Sequence, residues 1–304
     1  MPARQRVRVG GRTVTVSNLD RVLYPATGTT KAEVLRYYLD VAAAILPHLA
    51  GRGVTLRRYP DGVDREGFFQ KRRPDHAPDW LPSVTMGTGT GRTVIEHAEL
   101  TEPAALAWAA NLAALELHAP LGRTPDVTVP TVVVFDLDPG APADLLDCIW
   151  LARELRTTLG RLGLEAHPKT SGGKGLQVYV PLNDPDATFP ATRSFAHAIA
   201  KLLERHHPDR IVTTQTKAAR TGRVLIDWTQ NHPSKTTVCV YSLRAGERPT
   251  ASVPLTWDEV DAAHEAGDVA PLRITFDAVP ARLERFGELF APVLTRDQRL
   301  PRAD

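Results

Sequence analysis

The sequence predicts an α+β fold, with mixed and antiparallel sheets flanked by helices. Apolar patterning switches repeatedly between period two and period 3.6 along the 304 residues, without the strict alternation of strand and helix that builds a doubly wound parallel sheet. The composition is that of a globular protein, with 42% hydrophobic and 24% charged residues, which sets aside disorder, collagen and coiled coil. No run approaches the ~18 apolar residues of a membrane-spanning helix, and the start MPARQRVRVGGR lacks the apolar stretch of a signal peptide. The cytoplasm is therefore the expected compartment, with no membrane partner. At a prior of ~150 residues per domain, the length allows two modules or one large one.

The elements follow in order. Thr30 and Glu33 have capping-box spacing, and Val34, Leu35, Tyr38, Val41, Ala42, Ile45 and Leu46 recur at helical intervals, predicting a helix over residues 31–49. A strand over 53–59 is closed by the turn sequence PDG, ahead of the adjacent Phe68 and Phe69. Pro103 suits a first helical turn and opens an alanine-rich helix to residue 117. GRTPDVTVP then breaks the pattern and marks a soft boundary, dividing residues 1–125 from 126–304 or lying within one compact unit. TVVVFD, inside 130–140, is a β-branched run closed by Pro-Gly, the pattern of a buried strand. A helix over 143–162, a glycine-rich link over 167–175, a strand over 176–181 and a helix over 191–206 come next. Further strands are expected at 211–214, 223–228 and 238–243, with helix in the last forty or so residues.

Charge is distributed unevenly. The formal net charge is only +2, too small to imply nucleic-acid binding, but the stretch from Arg52 to Arg73 alone nets +4. Arg4, Arg6, Arg8, Arg12 and Arg21 load the N-terminal stretch, and Lys217, Arg220 and Arg223 form another cluster. Such runs read either as a nucleic-acid surface or as a solvated face with a frayed basic tail. Cys148 and Cys239, far apart and flanked by apolar residues, predict small buried thiols rather than a disulfide or a zinc site.

Three carboxylates carry the chemistry. Asp136 and Asp138 stand two apart at a strand end, so both side chains leave one face of the sheet, and paired hard oxygen ligands suit Mg2+ or Mn2+. A plain strand end and turn is the competing reading. Asp227 lies inside the apolar run VLIDW, where an ionised carboxylate is costly unless it is ion-paired, for example with Arg223, or binds metal. Three acidic ligands on two strands match the two-metal pattern of phosphoryl transfer. SGGKG at 171–175 offers amides, a hydroxyl and an ammonium as a phosphate cradle, or else a flexible connector; it is neither a Walker A loop nor GxGxxG.

Taken in order, FDLDPG, KTSGGKGLQVYVPL and VLIDWTQNHPSKTTVCVYSLRA resemble the polymerase module of bacterial DNA ligase D, a branch of the archaeo-eukaryotic primase superfamily that serves non-homologous end joining. SNLDRVLYPATGTTKAEV, RRYPDGVDREGFFQK and LAWAANLAALELH extend the likeness over most of residues 17–245. The resemblance implies a primase-like α+β fold with an RRM-like catalytic core. It also implies a template-directed, primer-extending nucleotidyltransferase that fills gaps at DNA double-strand breaks, prefers ribonucleotides over deoxyribonucleotides, and works at the nucleoid with Ku and a DNA ligase. Two Mg2+ or Mn2+ ions would sit on Asp136, Asp138 and Asp227, and nucleotide contacts would come from His118, Ser171, Lys174, Gln177, Lys235 and Arg244. The pocket for a downstream 5′-phosphate falls on Asn18, Arg21 and Lys31, with Arg21 where the family has lysine. Phe68 and Phe69 match an aromatic pair that stacks on template bases, surrounded by Arg57, Arg58 and Lys71, although Phe68 also suits core packing. Gln177 replaces a family histidine, keeping a neutral donor and losing the capacity for charge. No ligase KxDG motif or nuclease module is evident, so a stand-alone polymerase or a cut-out domain is expected. The rival readings are a primase that starts chains unprimed and an end-bridging DNA-binding module with weakened catalysis.

Overall fold

The computed structural model describes residues 4–87 and 94–301. The chain opens with a hairpin of β1 (Arg4–Val9) and β2 (Arg12–Ser17), followed by the short pair β3 (Val22–Tyr24) and β4 (Thr29–Thr30). Arg4, Arg6, Arg8 and Arg12 are thus strand residues, whereas Arg21 lies in the turn before β3, and Arg12 ion-pairs with Glu102 at 3.1 Å. Thr30 caps α1 (Lys31–Asp40) through the expected reciprocal bonds with Glu33, a device worth about 1 kcal/mol. The expected single helix is interrupted at Val41 and resumes as α2 (Ala42–Leu49), where Pro47 lacks the N–H that would donate to residue 43. Next come β5 (Thr55–Arg58), β6 (Phe68–Gln70), the hairpin strands β7 (Ser83–Gly87) and β8 (Val94–Ala98), and α3 (Pro103–Asn111).

Helix α3 stops six residues short of its expected end. Ala113 takes a left-handed φ of 55°, and Ala114–Pro120 becomes β9, paired with β5 and later with a third strand. Alanine favours helix locally, but cross-strand pairing decides the outcome. After β10 (Gly122–Arg123) and β11 (Asp126–Pro130) comes β12 (Val132–Pro139), the expected buried strand. It is followed by α4 (Leu145–Arg161), β13 (His167–Thr170), β14 (Leu176–Pro181) and α5 (Phe189–His206). The first half of the expected glycine-rich link is therefore a strand. β15 (Ile211–Val212), β16 (Val224–Asp227) and β17 (Thr236–Val238) follow, the last ending where the expected strand began. The C-terminal part is helical, with α6 (Trp257–Ala266), α7 (Val279–Phe286) and α8 (Pro292–Thr295). No helix among the described residues is long and apolar enough to cross a membrane.

Two sheets organise the molecule. One has the order β13-β14-β12-β16-β15, antiparallel except for β15 beside β16; the other is the antiparallel β17-β9-β5-β6. Period-two alternation sorts the first sheet. Val133, Phe135 and Leu137 of β12, Leu176, Val178 and Val180 of β14, and Val224 and Ile226 of β16 pack in one core with α4 and α5. The intervening residues leave the opposite face, toward the second sheet: Val132 and Val134 join the other core, and Asp136 and Asp138 continue the same row. The second sheet lays Leu56, Leu115 and Leu117 against the helical layer of α1 and α3, and Tyr38 donates to Leu115 O at 2.6 Å. Tyr179 of β14, bonded to Thr237 at 2.8 Å, ties the sheets together beside the cleft. Cys148 and Cys239 are both buried free thiols.

Candidate active site

Strand register assembles the carboxylates. Asp136 lies opposite Gln177 on one side and Asp227 on the other, so Asp136, Asp138, Gln177 and Asp227 share the cleft face. The Gln177 amide donates to Asp136 Oδ1 at 3.0 Å, whereas its own Oε1 is buried without a partner. Asp227 accepts from Thr229 N at 3.0 Å, Gln215 Nε2 at 2.9 Å and Gln230 Nε2 at 3.1 Å. Burial pushes the Asp136 carboxyl up to about 7, with Asp138 and Asp227 adding to the rise and the Gln177 bond opposing it. Asp138 is likewise raised by burial and then by Asp227, against Arg220 and Arg244.

Among the described residues, no Lys or Arg ion-pairs with any of the three aspartates. Their hard oxygens, with no direct ion-pair partner among the described residues, fit a divalent cation of the Mg2+ or Mn2+ kind. The described residues contain no ready-made cluster of three or more metal ligands, and the Asp136 and Asp227 carboxylates accept bonds from neighbouring amides. Asp227 is bound by amides and a hydroxyl, and not by Arg223.

The loop 171–175 runs beside this face. Ser171 Oγ accepts from the amides of Gly173 and Gly175, both at 3.2 Å, closing the loop on itself. Gly175 packs so closely on Leu137 O that a Cβ would collide with it, and Gly172, at φ 71°, meets the Arg244 side chain. Lys174 is exposed and helps line a cavity of about 710 Å³ with Arg248 and Arg273. Lys235 donates to Thr229 Oγ1 at 2.5 Å and so reaches Asp227 through one hydroxyl.

Across the cleft, Thr55, Arg57, Glu116, His118 and Phe69 share a face of the second sheet. The aromatic pair divides: Phe69 lies under Arg57 (5.2 Å) and edge-on to His118 (5.6 Å), and Phe68 lies under Arg58 (5.2 Å). Both rings are exposed, by 46% for Phe68 and 56% for Phe69, so neither is core. Burial lowers the His118 pKa, against the pull of Glu116. Lys71 is exposed just beyond β6, whereas Arg52 is buried on Pro120 O, Gly122 O and Thr131 and leaves the basic surface.

One turn gathers Asn18, Arg21 and Lys31. Arg21 N donates to Asn18 O at 3.1 Å, and Lys31 N donates to Arg21 O at 2.8 Å. Lys31 is the first residue of α1, at the helix end that favours anions. Its ammonium donates to Ser17 O at 2.6 Å, and burial, then Arg21 and Arg58, lower its pKa to about 8. Arg21 is exposed and pairs with Asp61 at 3.2 Å.

The sequence reading missed Glu116, Gln215 and Thr229. Glu116 was legible as an acidic residue inside an apolar run two before His118, but the expected helix placed the two on different faces. Gln215 and Thr229 carry no sequence signal; tertiary placement brings them to Asp227.

A primase-type cleft, with carboxylates on one sheet and cations and aromatics on the other, defines a class of nucleotidyl-transfer folds. The LigD primase-polymerase domain model matches residues 30–290. The chain belongs to that family. It is 42% identical over 293 residues to the multifunctional non-homologous end joining protein LigD of Mycolicibacterium smegmatis, covering 96% of this chain and 37% of that protein. It is 34% identical to the bifunctional non-homologous end joining protein LigD of Bacillus subtilis, covering 89% and 42%. The polymerase domain of Mycobacterium tuberculosis ligase D, solved in complex with DNA, superposes with a TM-score of 0.85 at 38% identity, covering 94% of this chain and 99% of that one. The chain thus spans about two fifths of the length of these curated relatives.

Proposed function

We propose that this chain is a template-directed nucleotidyltransferase that extends a primer across short gaps at DNA double-strand breaks in end joining. The observation that carries the reading is the row of Asp136, Asp138 and Asp227 on one sheet face, opposite a face bearing His118, Arg57 and the exposed Phe69. Divalent cations held by the three aspartates would activate the primer hydroxyl and neutralise triphosphate charge. The protein's own part is placement. Arg244 and Lys235 offer charge-assisted donors to phosphate oxygens, and the Ser171 loop keeps backbone close to them. Phe69 and Phe68 offer stacking surfaces for template bases, with Arg57, Arg58 and Lys71 for the backbone.

The turn holding Asn18, Arg21 and Lys31 suits a downstream 5′-phosphate, which favours work on an existing DNA end over unprimed initiation. Ribonucleotide preference and assembly with Ku and a ligase complete the proposal, on the family resemblance alone. Extension of a primed, gapped duplex beside an unprimed template, with matched NTP and dNTP, tests it. Product on the primed substrate alone supports the reading, product on the unprimed template points to a primase, and DNA binding without product points to an end-bridging module.

A further inference from the structure

We propose that Glu116 is the positioning residue that sets the nucleotide-side arginine, the cleft histidine and the template-side arginine as one unit; the inference rests on the polymerase reading above. Its carboxylate is 1% exposed and fully engaged. Oε1 accepts from Arg57 Nη1 at 3.2 Å and from the Ala245 amide at 3.1 Å. Oε2 accepts from His118 Nε2 at 2.8 Å and ion-pairs with Arg244 Nη1 at 3.4 Å. Three side chains and the backbone next to Arg244 therefore converge on one buried anion.

The reach of this hub extends to both ends of the cleft. Arg57 and His118 both contact the Phe69 ring, on the template side. Arg244 abuts Gly172 in the loop beside Asp138, on the nucleotide side. A long arginine left free must be ordered each time phosphate binds; anchored by one nitrogen on Glu116, it presents the rest of its fork already placed. Burial works against the charge, yet His118, Arg244 and the Ala245 amide hold the Glu116 carboxyl well below the usual carboxylate range, which keeps the anchor in its ionised form. A carboxylate retained only for packing needs no such set of polar partners from three separate strands and loops.

The test is a double-mutant cycle on single-turnover primer extension, with nucleotide titrated on a primed template. Glu116→Gln keeps the volume and removes the charge, and is expected to raise the apparent KM for nucleotide about tenfold or more while lowering kcat less. In an Arg244→Ala background the same substitution should change KM by less than about threefold, because it acts through that arginine. Equal KM effects in both backgrounds, as a merely structural residue would give, overturn the proposal. Glu116→Asp, keeping the charge, should recover part of the loss. Should Glu116→Gln fold poorly, the 15N shifts of His118 in the wild type decide: Nε2 must carry the proton donated to Glu116, and an Nδ1-protonated neutral ring overturns the proposal. A wild type that extends no primer overturns the polymerase reading and this inference together, whereas extension with an additive cycle overturns this inference alone.

Discussion

Replacing Lys31 by Met should remove the preference for a 5′-phosphorylated gap and its pH dependence with it. The residue is 5% exposed and stands first in α1, and among the described residues its ammonium donates to a single carbonyl. Its other N–H bonds have no acceptor among the described residues and can serve a phosphate, and charge-assisted bonds of this kind contribute about 1.5–3 kcal/mol, or about 10- to 150-fold in affinity. The sign with pH follows from its lowered pKa. Phosphate binds the protonated amine, so affinity is full below about 8 and falls as pH climbs through that value. At pH 9 about one lysine in ten keeps its proton, which predicts about tenfold weaker preference for the phosphorylated gap than at pH 7. The terminal phosphate, with its second pKa near 6, stays dianionic throughout. Fluorescence anisotropy on matched gapped duplexes, with and without the 5′-phosphate at fixed ionic strength, isolates the effect as a ratio. A ratio that is flat from about pH 7 to 9 in the wild type, or unchanged in Lys31→Met, refutes the pocket.

Asp136→Ala, Asp138→Ala or Asp227→Ala should each abolish nucleotide addition while leaving DNA binding near wild type; extension by any one of them in Mg2+ or Mn2+ would reject the metal assignment. Phe69→Ala should leave the melting temperature almost unchanged, since the ring is more than half exposed, and weaken extension on overhanging templates by about 1–3 kcal/mol. A large loss of stability at unchanged activity would mark the ring as structural. Gln177→His should tighten nucleotide binding below about pH 7, where a histidine of ordinary pKa near 6.5 gains charge; affinity that is unchanged or weaker from about pH 6 to 8 would show a pocket built around the amide.

Much of the site was legible because period-two geometry is local. Asp136 and Asp138 had to share a face once TVVVFD was read as a strand, and the capping box at Thr30 announced α1 to the residue. What escaped depends on partners distant in sequence. Residues 114–120 carry helix formers and still fold as a strand, because β5 and β17 offer edges on both sides. That change of period is what puts Glu116 beside His118. Arg52 looked like surface charge and is buried on two carbonyls and a hydroxyl of the chain 68 to 79 residues further on. The exposure of Phe68 was likewise undecided until β6 was placed at a sheet edge.

The most direct test is single-turnover incorporation on a gapped duplex with one defined templating base, in Mg2+ or Mn2+ and with chelator. The expected product is a primer one nucleotide longer, carrying the complementary base, formed only with the divalent ion and only with Asp136 intact. Tight binding of the duplex with no extension by the wild type in either metal would contradict it.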